Sequence, residues 1–460
     1  MSTAVSSDQK VTIDRLSSRG KGMARFNNLS VEIAGALPGE EVLVELGRRK
    51  QHGCVKGFLR DVITPSPDRV EPRCSHVPQC GGCLWQQMDY AAQLRIKEEA
   101  VRKLFEPFPE ARFHPILGCS DPWRYRNKME FSFSQNAAGN RYLGLVLVGG
   151  NGRVLDLQEC HLTSEWSIDL LKAVRGWWEE SGLAAYRHSQ DTGHLRTLTV
   201  REAKQGRGKL VMLTVSGNPG FAMPSDQIKR FVDVVRATGE DISIFVRVHQ
   251  ILKKTPTQFY EMHLSGPDHI VETLHVLGRT LHFKISPTSF FQPNTLQAQE
   301  LYSRALGMLK LTPETQVFDL YCGTATMGIS VAHMVKEVVG IELNPHAIFD
   351  ATCNMEMNAV SNVALHRGDV GEVLASLGAS RPEVAIVDPP RSGLDEKAVK
   401  NLIALRPQQL LYVSCFPKTQ AENIALLREA GYVLQDVQPV DQFPHTVHVE
   451  NIALLTCTAP

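Results

Sequence analysis

Cys415 stands at the end of an apolar run, Leu410-Leu411-Tyr412-Val413-Ser414, and is followed by Phe416-Pro417-Lys418-Thr419. Asp388-Pro389-Pro390-Arg391 lies upstream, and Glu450 closes the stretch His445-Thr446-Val447-His448-Val449-Glu450 downstream. A thiol and two carboxylates suit one particular chemistry. The C5 carbon of a pyrimidine is a poor nucleophile, but a thiolate adding to C6 turns C5 into an enolate-like carbon that can attack an activated methyl group. A base must then remove the C5 proton so that the thiol is expelled. Cys415 fills the first role, Glu450 the base, and Asp388 the acidic group that holds the ring. Asp388 sits where open α/β sheets bind ligands, at the carboxyl end of a strand. Arg391 occupies the place of the aromatic residue that follows Asn/Asp-Pro-Pro in enzymes acting on exocyclic amines, which argues against amine methylation.

The methyl donor needs a site, and Phe318-Asp319-Leu320-Tyr321-Cys322-Gly323-Thr324-Ala325-Thr326-Met327-Gly328 has the form of one. It follows a predicted strand and opens a helix, so a tight turn there lets the backbone approach a nucleoside. Nineteen residues after Gly323, Glu342 ends the next strand, where a carboxylate can accept hydrogen bonds from ribose hydroxyls. The loop lacks the full Gly-x-Gly-x-x-Gly spacing, so S-adenosylmethionine fits it better than a dinucleotide. Asp369, after the third strand, reads equally well as an adenine contact or as a helix N-cap.

A second constellation lies far upstream. Cys74, Cys80 and Cys83 fall within ten residues around a Cys-Gly-Gly-Cys turn, and Cys160 follows much later. Four soft thiolates suit zinc or an iron–sulfur cluster, and the spacing alone does not choose between them.

The elements that must position these residues show in the rhythm of the chain. At 460 residues it suits two or three domains, and 43% hydrophobic with 21% charged residues describes a globular chain. Residues 1–66 read as short strands, with Val11–Ile13, Ser30–Ile33, Glu41–Glu45 and Val55–Leu59 as candidates separated by glycine turns. That pattern suits a small all-β barrel of the oligonucleotide-binding type. Residues 67–283 read as an α+β domain. It holds a helix from Tyr90 to about Phe105, strands Lys128–Ser134, Thr197–Arg201, Leu210–Val215 and Ile242–Val248, and helices Glu165–Ser181 and Ser225–Thr238. Residues 284–460 alternate strand and helix, the sign of a parallel Rossmann-like sheet, with Val317–Leu320, Val338–Glu342, Val384–Asp388 and Gln409–Ser414 as central strands. Asn451–Thr456 adds a late antiparallel one.

Net charge is zero, yet residues 1–65 hold ten Lys/Arg against seven Asp/Glu, with Arg48, Arg49, Lys50, His52, Lys56 and Arg60 close together. Such a patch neutralises phosphates or is a solvated loop between strands. No stretch approaches the roughly 18 apolar residues of a membrane span. The N-terminus has no apolar core for a signal peptide, so a cytoplasmic, membrane-free protein is expected. No protein partner is evident, and a monomer is expected.

Taken together, Cys74-x5-Cys80-Gly-Gly-Cys83, Gly193-His194-Leu195-Arg196, Ser289-Phe290-Phe291-Gln292-Pro293-Asn294, Asp319-Leu320-Tyr321-Cys322-Gly323, Asp388-Pro-Pro-Arg391, Ser414-Cys415 and the stretch to Glu450 resemble the RNA 5-methyluridine methyltransferase family. The likeness is to its 23S ribosomal-RNA branch, which has an N-terminal TRAM barrel and an iron–sulfur cluster, and it runs from about residue 10 to 455. It implies a C-terminal class I methyltransferase domain and a [4Fe-4S] cluster on Cys74, Cys80, Cys83 and Cys160. It also implies S-adenosylmethionine contacts from Gln292, Tyr321, Thr326, Glu342, Asp369 and Asp388. Cys415 is then the nucleophile, Glu450 the base, and Phe290 a residue facing the flipped target base. Phe416 replaces the Asn usual after the nucleophile, Ala325 stands where a second glycine is common, and Gln442 where Met is common. The expected activity is methyl transfer to C5 of a uridine in 23S ribosomal RNA. The alternatives are the same chemistry on transfer RNA, or a non-catalytic iron–sulfur RNA-binding protein.

Overall fold

Apolar residues at every second position close the N-terminal segment into a barrel. The computed structural model describes residues 8–51, 53–150, 152–251, 255–377 and 381–457. Strands β1 (Gln9–Leu16), β2 (Gly22–Phe26), β3 (Leu29–Ile33), β4 (Glu41–Gln51) and β5 (Cys54–Thr64) form a closed barrel in the order β1-β2-β3-β5-β4. Val11, Ile13, Val31, Ile33, Val42 and Val44 point inward, as strand alternation requires. Strand β2 is absent from the sequence reading, because Gly22-Met23-Ala24-Arg25-Phe26 lacks β-branched residues. The backbone of Arg48–Lys50 continues β4 rather than forming a loop. The side chains of Arg48, Arg49 and Lys50, and His52 altogether, lie outside the described residues. Arg60 is paired with Glu45 and is therefore partly neutralised within the barrel.

Helix α1 (Tyr90–Phe105) starts at Asp89, whose carboxylate accepts the Ala91 and Ala92 N–H groups and satisfies two orphan donors of the first turn. The short strand β6 (Arg112–Phe113) then pairs in parallel with residues 436–437. Strands β7 (Lys128–Gln135), β8 (Arg141–Gly144), β9 (Leu195–Glu202), β10 (Lys209–Ser216), β11 (Ile242–Gln250) and β12 (Gln258–Ser265) form the central sheet, in the order β12-β11-β10-β9-β7-β8. Helices α2 (Glu165–Glu180) and α3 (Ser225–Arg236) bury Trp177, Trp178 and Phe231 against one face of it.

A hairpin, β13 (Ile270–Val276) and β14 (Arg279–Ile285), precedes α4 (Thr295–Leu306). The third sheet follows with β15 (Gln316–Leu320), α5 (Thr326–Val331), β16 (Glu337–Glu342), α6 (Pro345–Met357), β17 (Val363–Arg367), α7 (Val370–Ser376) and β18 (Val384–Val387). Helix α8 (Glu396–Leu405), β19 (Gln409–Ser414), α9 (Pro417–Glu429), β20 (Tyr432–Val440) and β21 (Glu450–Cys457) complete it. The order is β17-β16-β15-β18-β19-β21-β20-β6, with β21 antiparallel to both neighbours. Every residue of β18 is buried, as a parallel strand covered on both faces requires.

Packing crosses the division at 283. Ile270, Leu274, Leu281 and Phe283 of the hairpin share a core with Val317, Ile329 and Val338. Val101 and Phe105 of α1 pack with Phe318, Tyr412 and Tyr432. Residues 90–117, assigned by pattern to the central domain, thus lie on the C-terminal sheet.

Candidate active site

The strand register gathers the chemistry at one edge of the third sheet. Leu320 pairs with Ile341 and Val387, and Val387 pairs with Tyr412, so Tyr321, Glu342 and Asp388 emerge together at the carboxyl ends of parallel strands. Strand β21 runs the other way and brings in Glu450 at its start. Ser414 pairs with Asn451, so Cys415 and Glu450 are the next residues outward on adjacent chains.

Glu450 feels the charge of Asp388, and Cys415 feels both carboxylates. Burial pushes the Glu450 carboxyl up to about 8, with the negative charge of Asp388 adding to it and Arg391 opposing. Asp388 is raised to about 7 by burial. The Cys415 thiol is raised to about 11 by burial, then by Glu450 and Asp388, while Arg391 hydrogen-bonds it and pulls the other way. Arg391 is thus the cation that favours the thiolate.

Two further residues belong to this group. Asp319 is buried, with one oxygen accepting the Gly328 N–H at 2.9 Å and the other without a hydrogen-bond partner among the described residues. Burial, then the charges of Asp388 and Glu342, raise it to about 7. Burial raises the phenol of Tyr302 on α4 well above its ordinary value, as do Asp388, Glu450 and Asp319 in turn. Asp319 is visible in its motif but was given no role, and Tyr302 has no local sequence signal.

The cofactor loop folds as a tight turn through the left-handed region, with Tyr321 at φ +62°, Gly323 at +57° and Ala325 at +58°. Ala325 therefore holds a conformation that glycine adopts at lower cost. The Gly323 N–H donates to Glu342 Oε2 at 3.0 Å, locking the loop to the next strand end. Thr326 opens α5 and is buried, its hydroxyl 3.2 Å from that of Thr324. Asp369 caps α7, accepting the Glu372 N–H at 3.1 Å, so the capping reading describes its contact. Gln292 is buried and its Oε1 accepts from Gln442 Nε2 at 3.3 Å. Phe290 stands out at 67% exposure, while its neighbour Phe291 is buried.

The loop that leads into Glu450 is anchored from α1. Lys97 Nζ lies 2.6 Å from Asp441 Oδ1 with both side chains buried, and it also donates to the Phe443 carbonyl at 3.0 Å. The Tyr90 hydroxyl donates to the other Asp441 oxygen at 2.9 Å.

Cys74, Cys80, Cys83 and Cys160 line one cavity of about 190 Å³ beside the central sheet. Burial raises every one of these thiols, Cys74 to about 11 and Cys83 to about 12. Among the described residues no three donors stand close enough to hold a single metal ion.

The family described as tRNA (uracil-5-)-methyltransferase matches residues 257–458, the segment that carries Gln292, Asp388, Cys415 and Glu450. An uncharacterized RNA methyltransferase of Protochlamydia amoebophila is 46% identical over 93% of this chain and 100% of its own. One from Halalkalibacterium halodurans is 33% identical, covering 97% of this chain and 96% of that one. The crystal structure of the Pyrococcus abyssi tRNA (uracil-54, C5)-methyltransferase with S-adenosyl-L-homocysteine superposes with a TM-score of 0.75 at 24% identity, covering 97% of this chain and 100% of that one. The chain belongs to the RNA uracil-5-methyltransferase family.

Proposed function

We propose that this enzyme methylates C5 of a uridine in 23S ribosomal RNA through a covalent adduct between Cys415 and C6, acting as a cytoplasmic monomer. The observation that carries it is the convergence of Cys415, Glu450 and Asp388 at one sheet edge, where Asp388 acts on Glu450 and both carboxylates act on Cys415. S-adenosylmethionine, when bound, supplies an electrophilic methyl group on a sulfonium. The donor set fits it: a tight loop locked by Glu342, a buried unpaired oxygen of Asp319, and the buried amide of Gln292. Tyr321, Thr326, Glu342, Asp369 and Asp388 complete the contacts.

Arg391 stabilises the Cys415 thiolate, whose Sγ forms a bond to C6 of the ring. Asp388 holds the ring by hydrogen bonding as C5 gains electron density and then the methyl group. Glu450 takes the C5 proton. The electrons of that C–H bond restore the ring double bond and expel the Cys415 thiolate. A base with a pKa near 8 is stronger than an ordinary carboxylate, which suits removal of a carbon-bound proton. Phe290, exposed two residues before Gln292, receives the flipped base.

Cys74, Cys80, Cys83 and Cys160 hold a [4Fe-4S] cluster. The cavity of about 190 Å³ that all four thiols line is the observation that supports a shared group. Thiols raised this far release protons as they ligate. The N-terminal barrel grips RNA. A transfer-RNA uridine is the second reading, because the family description and the Pyrococcus enzyme both name transfer RNA.

The test is incubation of anaerobically purified enzyme with unmodified 23S ribosomal RNA or transfer RNA and labelled S-adenosylmethionine, followed by nucleoside digestion. Label in 5-methyluridine from ribosomal RNA, abolished by Cys415→Ala, is expected. Glu450→Gln should accumulate an RNA–protein adduct that survives denaturing electrophoresis. Label from transfer RNA alone overturns the substrate, and turnover by Cys415→Ala overturns the mechanism.

A further inference from the structure

The two faces of the central sheet differ in kind. One is apolar and covered by α2 and α3. On the other, the hairpin β13–β14 shares a core with Leu210, Met212 and Phe245, leaving the far end of the face uncovered by it. Register places Arg247 in one row at that end, and His249 with Phe259 in the next. The Arg247 guanidinium lies 3.8 Å over the Phe259 ring, and the His249 ring packs 4.6 Å from it. Phe259 itself remains 46% exposed.

Arg196 comes to the same place from a register shift between β9 and β10, a device that re-aims a side chain. Its guanidinium lies 3.8 Å over the Tyr186 ring, and its charge, like that of Arg247, acts on His249. Arg196 Nη1 and Arg247 Nε are buried nitrogens without a hydrogen-bond partner among the described residues. Glu261 forms an ion pair with Arg247 at 3.8 Å, too long for a hydrogen bond, so the guanidinium keeps its donors. An unpaired buried donor is costly, and two on one half-open face call for acceptors that arrive from outside. Guanidiniums held over aromatic rings, beside an exposed ring, suit alternating phosphates and unstacked bases.

The face runs toward Phe290, the residue proposed to meet the flipped base. Arg201, lower on the same face, donates to the carbonyl of Ser289, next to Phe290. Three strand spacings sideways and six residues along separate it from Phe259, roughly 25 Å.

We infer that Arg196, Arg247 and Phe259 form a binding site for single-stranded RNA flanking the target uridine, with the two arginines on phosphates and one unpaired base stacked on Phe259. The inference rests on the RNA-methylation reading, but its test measures binding without turnover. Affinity of the full-length enzyme for a labelled single-stranded oligouridine is measured across a salt series, with S-adenosylmethionine affinity measured in parallel. Phe259→Ala should weaken RNA binding at least about fivefold, and Phe259→Trp should restore it. Arg196→Ala should make the salt slope of log K shallower by about 0.7, the contribution of one single-strand phosphate contact. S-adenosylmethionine affinity should stay unchanged in all three variants. RNA affinity and salt slope unchanged in these variants would overturn the site. So would a loss that tryptophan does not restore, since that marks a structural role, or loss of binding to an acidic polypeptide with RNA binding kept. If oligouridine binding behaves as expected and no methyl transfer occurs, the site stands and the catalytic reading fails.

Discussion

The Leu84 backbone N–H donates to the carbonyl of His445 at 3.0 Å, and the Trp85 N–H shares that acceptor at 3.2 Å. Cys83 precedes Leu84, and Glu450 lies five residues beyond His445, so the cysteine turn and the loop to the proposed base are joined backbone to backbone. His445 holds φ at +64°, a conformation costing of order 1–3 kcal/mol that its surroundings must impose. Gln93 from α1 helps impose it, its Oε1 accepting the His445 N–H at 2.9 Å.

If the four cysteines hold a cluster as proposed, its loss should therefore be felt at the proposed base. Cys83→Ser is expected to lose bound iron and to speed amide exchange through residues 441–450, while the central-sheet core around Val211 stays protected. Exchange in 441–450 equal to the parent's would disconnect the two sites.

Lys97→Met removes one partner of a fully buried ion pair and leaves Asp441 charged in the interior. A loss of about 3–5 kcal/mol is expected in urea unfolding. Adding Asp441→Leu should return much of it, because the stranded charge rather than the lost attraction carries most of the cost. A single variant as stable as the parent would show that water reaches this pair.

The acids of the site set a pH dependence of unusual sign. Asp319, Asp388 and Glu450 sit at about 7, 7 and 8 in the folded protein, against ordinary values of 3.8 to 4.5. They bind protons more tightly folded than unfolded, so their contribution is fully present below about pH 4 and is lost as pH rises through 7 to 8. Thermal unfolding of the unliganded protein should show this loss between pH 5 and 9, and Asp388→Asn should reduce it. Activity should run the opposite way: kcat/KM rises with pH as Glu450 ionises. Asp388→Asn should move that rise to lower pH, because the Asp388 charge is what adds to burial in holding Glu450 up. A rise left in place would separate the two carboxylates.

Phe416 occupies the N-cap of α9 and offers no side-chain acceptor, while Pro417 fills the first helical position. Phe416→Asn should stabilise the protein by roughly 1 kcal/mol, read in chemical unfolding. Phe416 is also 43% exposed next to Cys415, the proposed nucleophile. The same variant should alter which uridine is methylated, read by mapping 5-methyluridine in total RNA. Unchanged stability would mean that solvent already satisfies the first-turn N–H groups of α9.

Strands of the third sheet were legible because burial on both faces leaves continuous apolar runs, as in Val384–Val387. Cys415 was legible from its place after such a run. The anchoring of the Glu450 loop was not. Lys97 lies on a helix that reads as polar and periodic, and only contact with a segment 344 residues away shows that its charge is buried. Asp319 was hidden differently: nothing local says that its second oxygen lacks a partner. The hairpin at 270–285 does not show in the sequence as part of this unit, because the change of rhythm comes after it, although its apolar residues belong to the catalytic core.

The pairing of β6 with β20 has a consequence for biosynthesis. Arg112 meets Asp436 across 324 residues, so the strand that completes the sheet leaves the ribosome long before its neighbour. At about 5–20 residues per second that interval is roughly 16–65 s, during which Val101 and Phe105 of α1 have no finished core to cover them. The strands of the barrel and of the central sheet are all synthesised by residue 265. The catalytic sheet must wait for translation to finish its β20 strand, and a chain stalled before residue 436 presents α1 to chaperones.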